Sequence, residues 1–63
     1  MSAANMDLRV LMFRERVTQA ELGERLGMGQ PEVSVLLKHE MGREQKKRIK
    51  AIIGEIVSER ERG

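Results

Sequence analysis

Ile49, Ile52, Ile53, Ile56 and Val57 recur at i, i+3, i+4, i+7 and i+8, which is one apolar stripe along an amphipathic helix expected over residues 43 to 60. Ala51, Gly54 and Ser58 form a strip of small residues on the far side of that helix. That strip is either solvent-exposed or a place for another helix to approach closely. Near the start of the chain, Leu8, Leu11 and Met12 show the same three- and four-residue spacing and predict a first helix from Met6 to about Arg16. Asn5 stands where it can cap that helix, and the small polar residues before it are expected to be loose.

Between these two elements the start and stop signals are sharper. Thr18 followed by Glu21 is a capping box, and Val17 with Leu22 is the hydrophobic staple that accompanies one, so a second helix is expected to begin at Gln19. Its inward face is Leu22, Gly23 and Leu26, and Gly27 stands where a helix needs a residue able to turn left-handed in order to stop. The run Gly29-Gln30-Pro31-Glu32 then reads as another helix start, because proline is tolerated in a first turn and Glu32 lies near the positive end of the dipole. This third helix is expected to reach His39, with Val33, Leu36 and Leu37 facing one way and Pro31, Ser34, Val35 and Lys38 the other. Gly42 ends the segment.

The result is an all-helical, four-helix chain. With 63 residues it is expected to be a single domain spanning 1–63, in a size range where one core is marginal without a staple or a partner subunit. Dimerisation is therefore expected. The chain has no cysteine, which removes disulfides and thiolate metal sites and leaves a cytoplasmic location as the default. The longest apolar run is Val10 to Phe13, too short for a signal-peptide core or a membrane span, so a soluble, unprocessed protein without membrane contact is expected. Phe13 is the only aromatic residue and is expected to fill a core or dimer contact, since platforms that stack bases use several aromatics.

Net charge is only +2, but it is unevenly spread. Residues 1–31 balance four acids with four bases, whereas in residues 43–50 Arg43, Lys46, Lys47, Arg48 and Lys50 face Glu44 alone. Such a patch attracts phosphate-rich partners, and at a helix N-terminus positive charge is locally unfavourable without a compensating anion. The other reading is a solvated helical face. Catalysis has little support: there is one His, one Asp and no Tyr, no two acids are placed as an acid and base pair, and metal ligation lacks a second imidazole or thiolate. No cofactor, small-molecule ligand or enzymatic activity is expected.

The stretch Gln19 to Lys38 resembles the helix-turn-helix of the lambda-repressor-like family, which includes phage repressors, Cro proteins and XRE-type regulators. Leu22, Gly23, Leu26, Gly27, Met28, Val33, Ser34 and Leu36 fall where that pattern expects apolar, small or turn residues. The motif covers residues 18–39, and the four expected helices extend the likeness to most of the chain. Two helices crossing steeply need a small residue at their contact, which gives Gly23 a use although glycine inside a helix costs about 1 kcal/mol relative to alanine. The resemblance implies a transcriptional regulator that binds double-stranded DNA as a homodimer on a palindromic operator, with half-sites about one helical turn apart.

Roles follow from the resemblance residue by residue. Gln30 would pair with an adenine edge, Gln19 would contact phosphate and brace Gln30, Ser34 and Lys38 would donate to bases or phosphates, and Val35 would meet a thymine methyl. Pro31 departs from the polar residue usual at its position, which leaves shape or methyl contact there, and Gly29 departs from the usual serine cap. Arg43, Lys46 and Lys47 would add phosphate contacts at the start of the last helix. The segment from Arg43 to Ile52 is also similar to the third helix of LacI-type headpieces. Ile53, Gly54, Ile56 and Val57 are the expected dimer contact. The alternative is a protein-interaction module, such as an antitoxin or an adaptor that binds another regulator, whose mark would be an exposed apolar patch at Val35, Phe13 or the edge of the isoleucine stripe.

Overall fold

The computed structural model describes residues 4–63 and folds them into four helices: α1 (Met6–Glu15), α2 (Gln19–Leu26), α3 (Gln30–Lys38) and α4 (Arg43–Arg62). No strand occurs among these residues. The looseness expected before Asn5 concerns mostly residues 1–3, which lie outside the described residues. None of the helices is long and apolar enough to cross a membrane. With 20 residues, α4 is about 30 Å long and underlies the long dimension of the molecule, 37 Å against 21 Å in the other two directions.

The core forms where the apolar stripes converge. Leu8 and Met12 from α1, Leu22 from α2, Val33 and Leu37 from α3, and Ile49, Ile53 and Ile56 from α4 are all buried, with Val17 and Met41 closing the cluster from the connecting segments. Leu11, Leu26, Met28, Leu36, Ile52 and Val57 pack around it half-buried. Phe13 is not in this core. It stands 87% exposed on the outer side of α1, because the helical period that turns Leu8 and Met12 inward turns position 13 away.

Backbone geometry fixes how α2 meets α3. The Thr18 hydroxyl accepts the Glu21 N–H at 3.1 Å and the Glu21 carboxylate accepts the Thr18 N–H at 2.9 Å, completing the capping box. At the other end of α2, Gly27 takes a left-handed φ of 72°, a conformation that costs residues with a Cβ roughly 1–2 kcal/mol. The chain then folds back so tightly that a Cβ on Gly23 would lie 2.6 Å from the Met28 carbonyl oxygen. Gly23 also accepts the Met28 N–H on its own carbonyl at 2.8 Å. Only a residue without a side chain permits both contacts. α3 starts with half a capping box, since Glu32 accepts the Gly29 N–H at 3.0 Å but Gly29 has no side chain to answer.

Asn5 does something other than cap α1. It sits at the N-cap position in a left-handed conformation, φ 56°, which asparagine tolerates better than most residues, and its side chain makes no bond to its own helix. The amide is instead fully buried against the far end of α3. Nδ2 donates to the carbonyls of Leu37 at 2.9 Å and His39 at 2.7 Å, and Oδ1 accepts the Met41 N–H at 2.9 Å. Arg9 adds a bond to the Leu37 carbonyl at 3.1 Å. The last turn of α3 leaves carbonyls without helical partners, and Asn5 and Arg9 supply the donors.

A second stitch closes the opposite corner. Arg60, near the end of α4, donates to the carbonyls of Glu15 and Arg16 at 2.8 Å each and to the Glu21 carboxylate at 2.6 Å. It holds the α1–α2 turn, where Arg16 takes a left-handed φ of 57°, against the capping box. Arg25 pairs bidentately with Glu59 and fastens α2 to α4.

Two substitutions test this reading. Asn5→Ala strands the buried Met41 N–H and removes the donor to the part-buried His39 carbonyl, and is expected to lose about 3 kcal/mol of unfolding free energy in a urea titration. Gly23→Val drives a branched side chain into a backbone carbonyl and is expected to lose about 3 kcal/mol or more, whereas Ala51→Val, on an exposed turn of α4, should change stability by no more than about 0.5 kcal/mol.

Candidate nucleic-acid interface

The outward face of α3 is defined by what its inward face buries. Val33 and Leu37 are 0% and 1% exposed, which turns Pro31, Val35 and Lys38 to solvent and leaves Ser34 half-buried at the edge. Gln30, at the first position of the helix, is exposed. Its aim is set by Gly29 and the α2–α3 turn behind it. Pro31 and Val35 are not isolated: with Met28, Leu36 and Glu32 they line a shallow groove of about 440 Å³. This face therefore combines one amide, one ammonium group, the Glu32 carboxylate and a mostly apolar strip.

Gln19 lies elsewhere. It is half-buried in a smaller cleft of about 280 Å³ that it shares with Arg9, Thr18 and Leu37, at the start of α2 and the end of α3. Among the described residues no hydrogen bond joins it to Gln30, so the bracing expected between the two glutamines is not made.

Arg43, Lys46 and Lys47 come together as the helical period requires. They line a cleft of about 470 Å³ at the start of α4, with Met41, Lys50 and Asp7. Lys50 was legible in the sequence as a member of this set, because positions 43, 46, 47 and 50 share one helical face. Asp7 was not, since it reaches the cleft from another helix. Only four residues, 39–42, separate Lys38 from Arg43, and Asn5 holds that connector in place.

The cations of the cleft are not equivalent. Lys46 forms salt bridges to Asp7 at 3.1 Å and to Glu40, and Lys50 meets the other Asp7 oxygen at 3.3 Å. Lys46, expected among the phosphate contacts, has its ammonium group engaged in tying α4 to α1 and to the α3–α4 connector. Arg43 and Lys47 are exposed, and no salt bridge engages either among the described residues. They are the cations available to an external anion.

Protonation behaviour follows the same contacts. The Lys46 ammonium holds the Asp7 carboxyl below its ordinary value, helped by Lys50. The Asn5 N–H, followed by Lys46, lowers Glu40, and these acids in turn raise Lys46 above the usual lysine value. Glu21 is lowered by the Thr18 N–H and then by Arg60, and Glu59 by Arg25.

The expected dimer contact needs correction too. Ile53 and Ile56 are 1% and 4% exposed, in the chain's own core, and cannot reach another copy without unfolding. Gly54 is exposed, with open space where a Cβ would stand. Val57 is half-buried beside it, and both line a groove with Leu11 and Ser58. One stripe of isoleucines cannot both fill the core and form the interface.

The carboxylates named above have lowered folded-state values, so their contribution is present above the unfolded range and is lost as pH falls below about 4. Lys46, raised, contributes through neutrality and loses that contribution above about pH 10.5. Lys46→Met, which keeps the aliphatic stem, is therefore expected to lower the urea midpoint at pH 7 and to lower it progressively less as pH falls below about 4 and its partners take up protons. Lys47→Met should leave the midpoint unchanged across that range. Comparison of the chain with protein-family models, with curated proteins and with solved structures finds no match in any of the three.

Proposed function

We propose that the chain is a DNA-binding transcriptional regulator of phage or bacterial type, with α2 and α3 acting as a helix-turn-helix of the lambda-repressor-like kind and α3 entering the major groove. The observation that carries this reading is the division of α3. Val33 and Leu37 anchor it in the core while Gln30, Pro31, Val35 and Lys38 are presented to solvent on a helix whose angle to α2 is fixed by Gly23. A helix held rigidly and displayed outward is what a major groove, about 12 Å wide, admits. Gln30 would read an adenine edge, Val35 and Pro31 would lie against thymine methyls, and Lys38 and Ser34 would reach bases or phosphates. Arg43 and Lys47 would hold the backbone beside the groove, with Gln19 as a further phosphate contact.

This role is one of binding, with no cofactor and no reaction. A protein-docking role is favoured by one observation, the apolar groove of Met28, Pro31, Val35 and Leu36 on the same face. The two separate in one experiment, selection of bound sequences from a random pool of duplex DNA at several salt concentrations. A regulator enriches a short palindromic sequence. A docking module enriches none.

On the selected site, Gln30→Ala is expected to reduce discrimination at one or two base pairs by about 1–3 kcal/mol with little change in non-specific affinity. Equal losses on every sequence would contradict the assigned role. Arg43→Ala and Lys47→Ala should weaken binding to all sequences alike, each flattening the plot of log affinity against log salt by about one unit. Lys46→Ala, with its cation already paired inside the protein, should flatten it less.

A further inference from the structure

Four large apolar side chains stand exposed among the described residues, and three of them, Met6, Val10 and Phe13, lie on α1. Their spacing of i, i+4 and i+7 puts them in one line opposite Leu8 and Met12, over roughly 10 Å of helix. Met6 and Val10 are each 51% exposed and Phe13 87%. α1 thus has two apolar stripes, and the fold buries only one.

We propose that this outer stripe is the surface on which a second copy of the chain docks, α1 against α1 and antiparallel, with the two-fold axis passing beside Val10. The pattern is complementary to itself in that orientation. Val10 meets Val10 of the second copy, and Met6 meets Phe13, a thioether against an aromatic ring. The charges agree as well. Asp7 and Arg14 flank the stripe on the same side, seven residues apart, so antiparallel pairing sets each Asp7 beside the Arg14 of the second copy. Arg14 is exposed, and no salt bridge engages it among the described residues. Asp7 keeps 43% of its side chain exposed while holding Lys46 and Lys50. On the other flank Arg9 is turned back onto the carbonyls of Ala4 and Leu37, which removes the cation that would otherwise repel its counterpart.

A contact of two ten-residue helices buries less than the roughly 1,200 Å² of a stable interface, so the dimer is weak in free solution. The proposal rests on the surface of α1 and not on the DNA reading, and either can fail without the other.

The absence of cysteine makes the test direct. Val10→Cys places one thiol per chain beside the proposed axis, and Ala51→Cys places one on the exposed face of α4. Under mild oxidation at equal concentration, Val10→Cys is expected to form the disulfide-linked dimer at least about tenfold faster, because docking raises the effective thiol concentration. Adding Phe13→Asp to Val10→Cys should abolish that advantage, and circular dichroism should show an unchanged fold, since Phe13 contributes little to the core. Sedimentation of the cysteine-free chain should show self-association that Phe13→Asp removes. Equal cross-linking rates at positions 10 and 51, or self-association indifferent to Phe13→Asp, would overturn the proposal. So would a chain that stays monomeric at every concentration, which would leave the stripe to a different partner.

Discussion

The approach of Gly23 to the Met28 carbonyl governs the geometry of the molecule. α2 ends at Leu26 and α3 begins at Gln30, so three residues must reverse the chain and still bring Val33 into the core beside Leu22. That is possible only if the backbone at 28 passes within contact distance of the backbone at 23, and any side chain there would hold the two helices apart. The left-handed turn at Gly27 feeds the same contact. The exposure of Gln30, Pro31, Val35 and Lys38 is a consequence of this crossing, because the angle that buries Val33 and Leu37 is also the one that turns the opposite face outward. The candidate interface is thus determined by two glycines that lie outside it.

Around that crossing, a small chain secures its corners with hydrogen bonds from opposite ends. Asn5 supplies donors and an acceptor to the end of α3 and the following connector, and Arg60 binds the carbonyls at the end of α1. Both groups satisfy backbone polar atoms that no helix can satisfy for itself. With ten buried apolar side chains in the core cluster, a domain of this size has little stability to spare, and stranded polar groups weigh heavily against it.

The basic segment at the start of α4 divides between stability and availability. Lys46 and Lys50 are occupied by Asp7, with Glu40 also on Lys46, while Arg43 and Lys47 remain open. A run of cations counted along the sequence therefore overstates what an incoming phosphate meets. In the proposed DNA complex, half of the four cations lining this cleft position the helix and the other half approach the backbone of the nucleic acid.

Local chemistry carried most of the fold. The four helices, the capping box at Thr18 and Glu21, the stop at Gly27 and the small contact residue at Gly23 were legible because each depends on residues within one or two turns. The inward stripes of α1 and α4 were legible for the same reason. What sequence could not determine were the contacts between distant segments. Asn5, placed where asparagine usually caps a helix, turned instead to residues 37–41. Asp7 paired with Lys46, and Ile53 and Ile56, which lie on the apolar stripe and were expected at the dimer contact, went to the core. Phe13, expected in a core or a dimer contact, was left out of the core, and only the direction in which α1 faces α4 decided it. Periodicity gives the stripe, but which side meets the rest of the chain is settled by tertiary packing, since burial, ion pairing and hydrogen bonding across 30 residues or more are properties of the assembled helices.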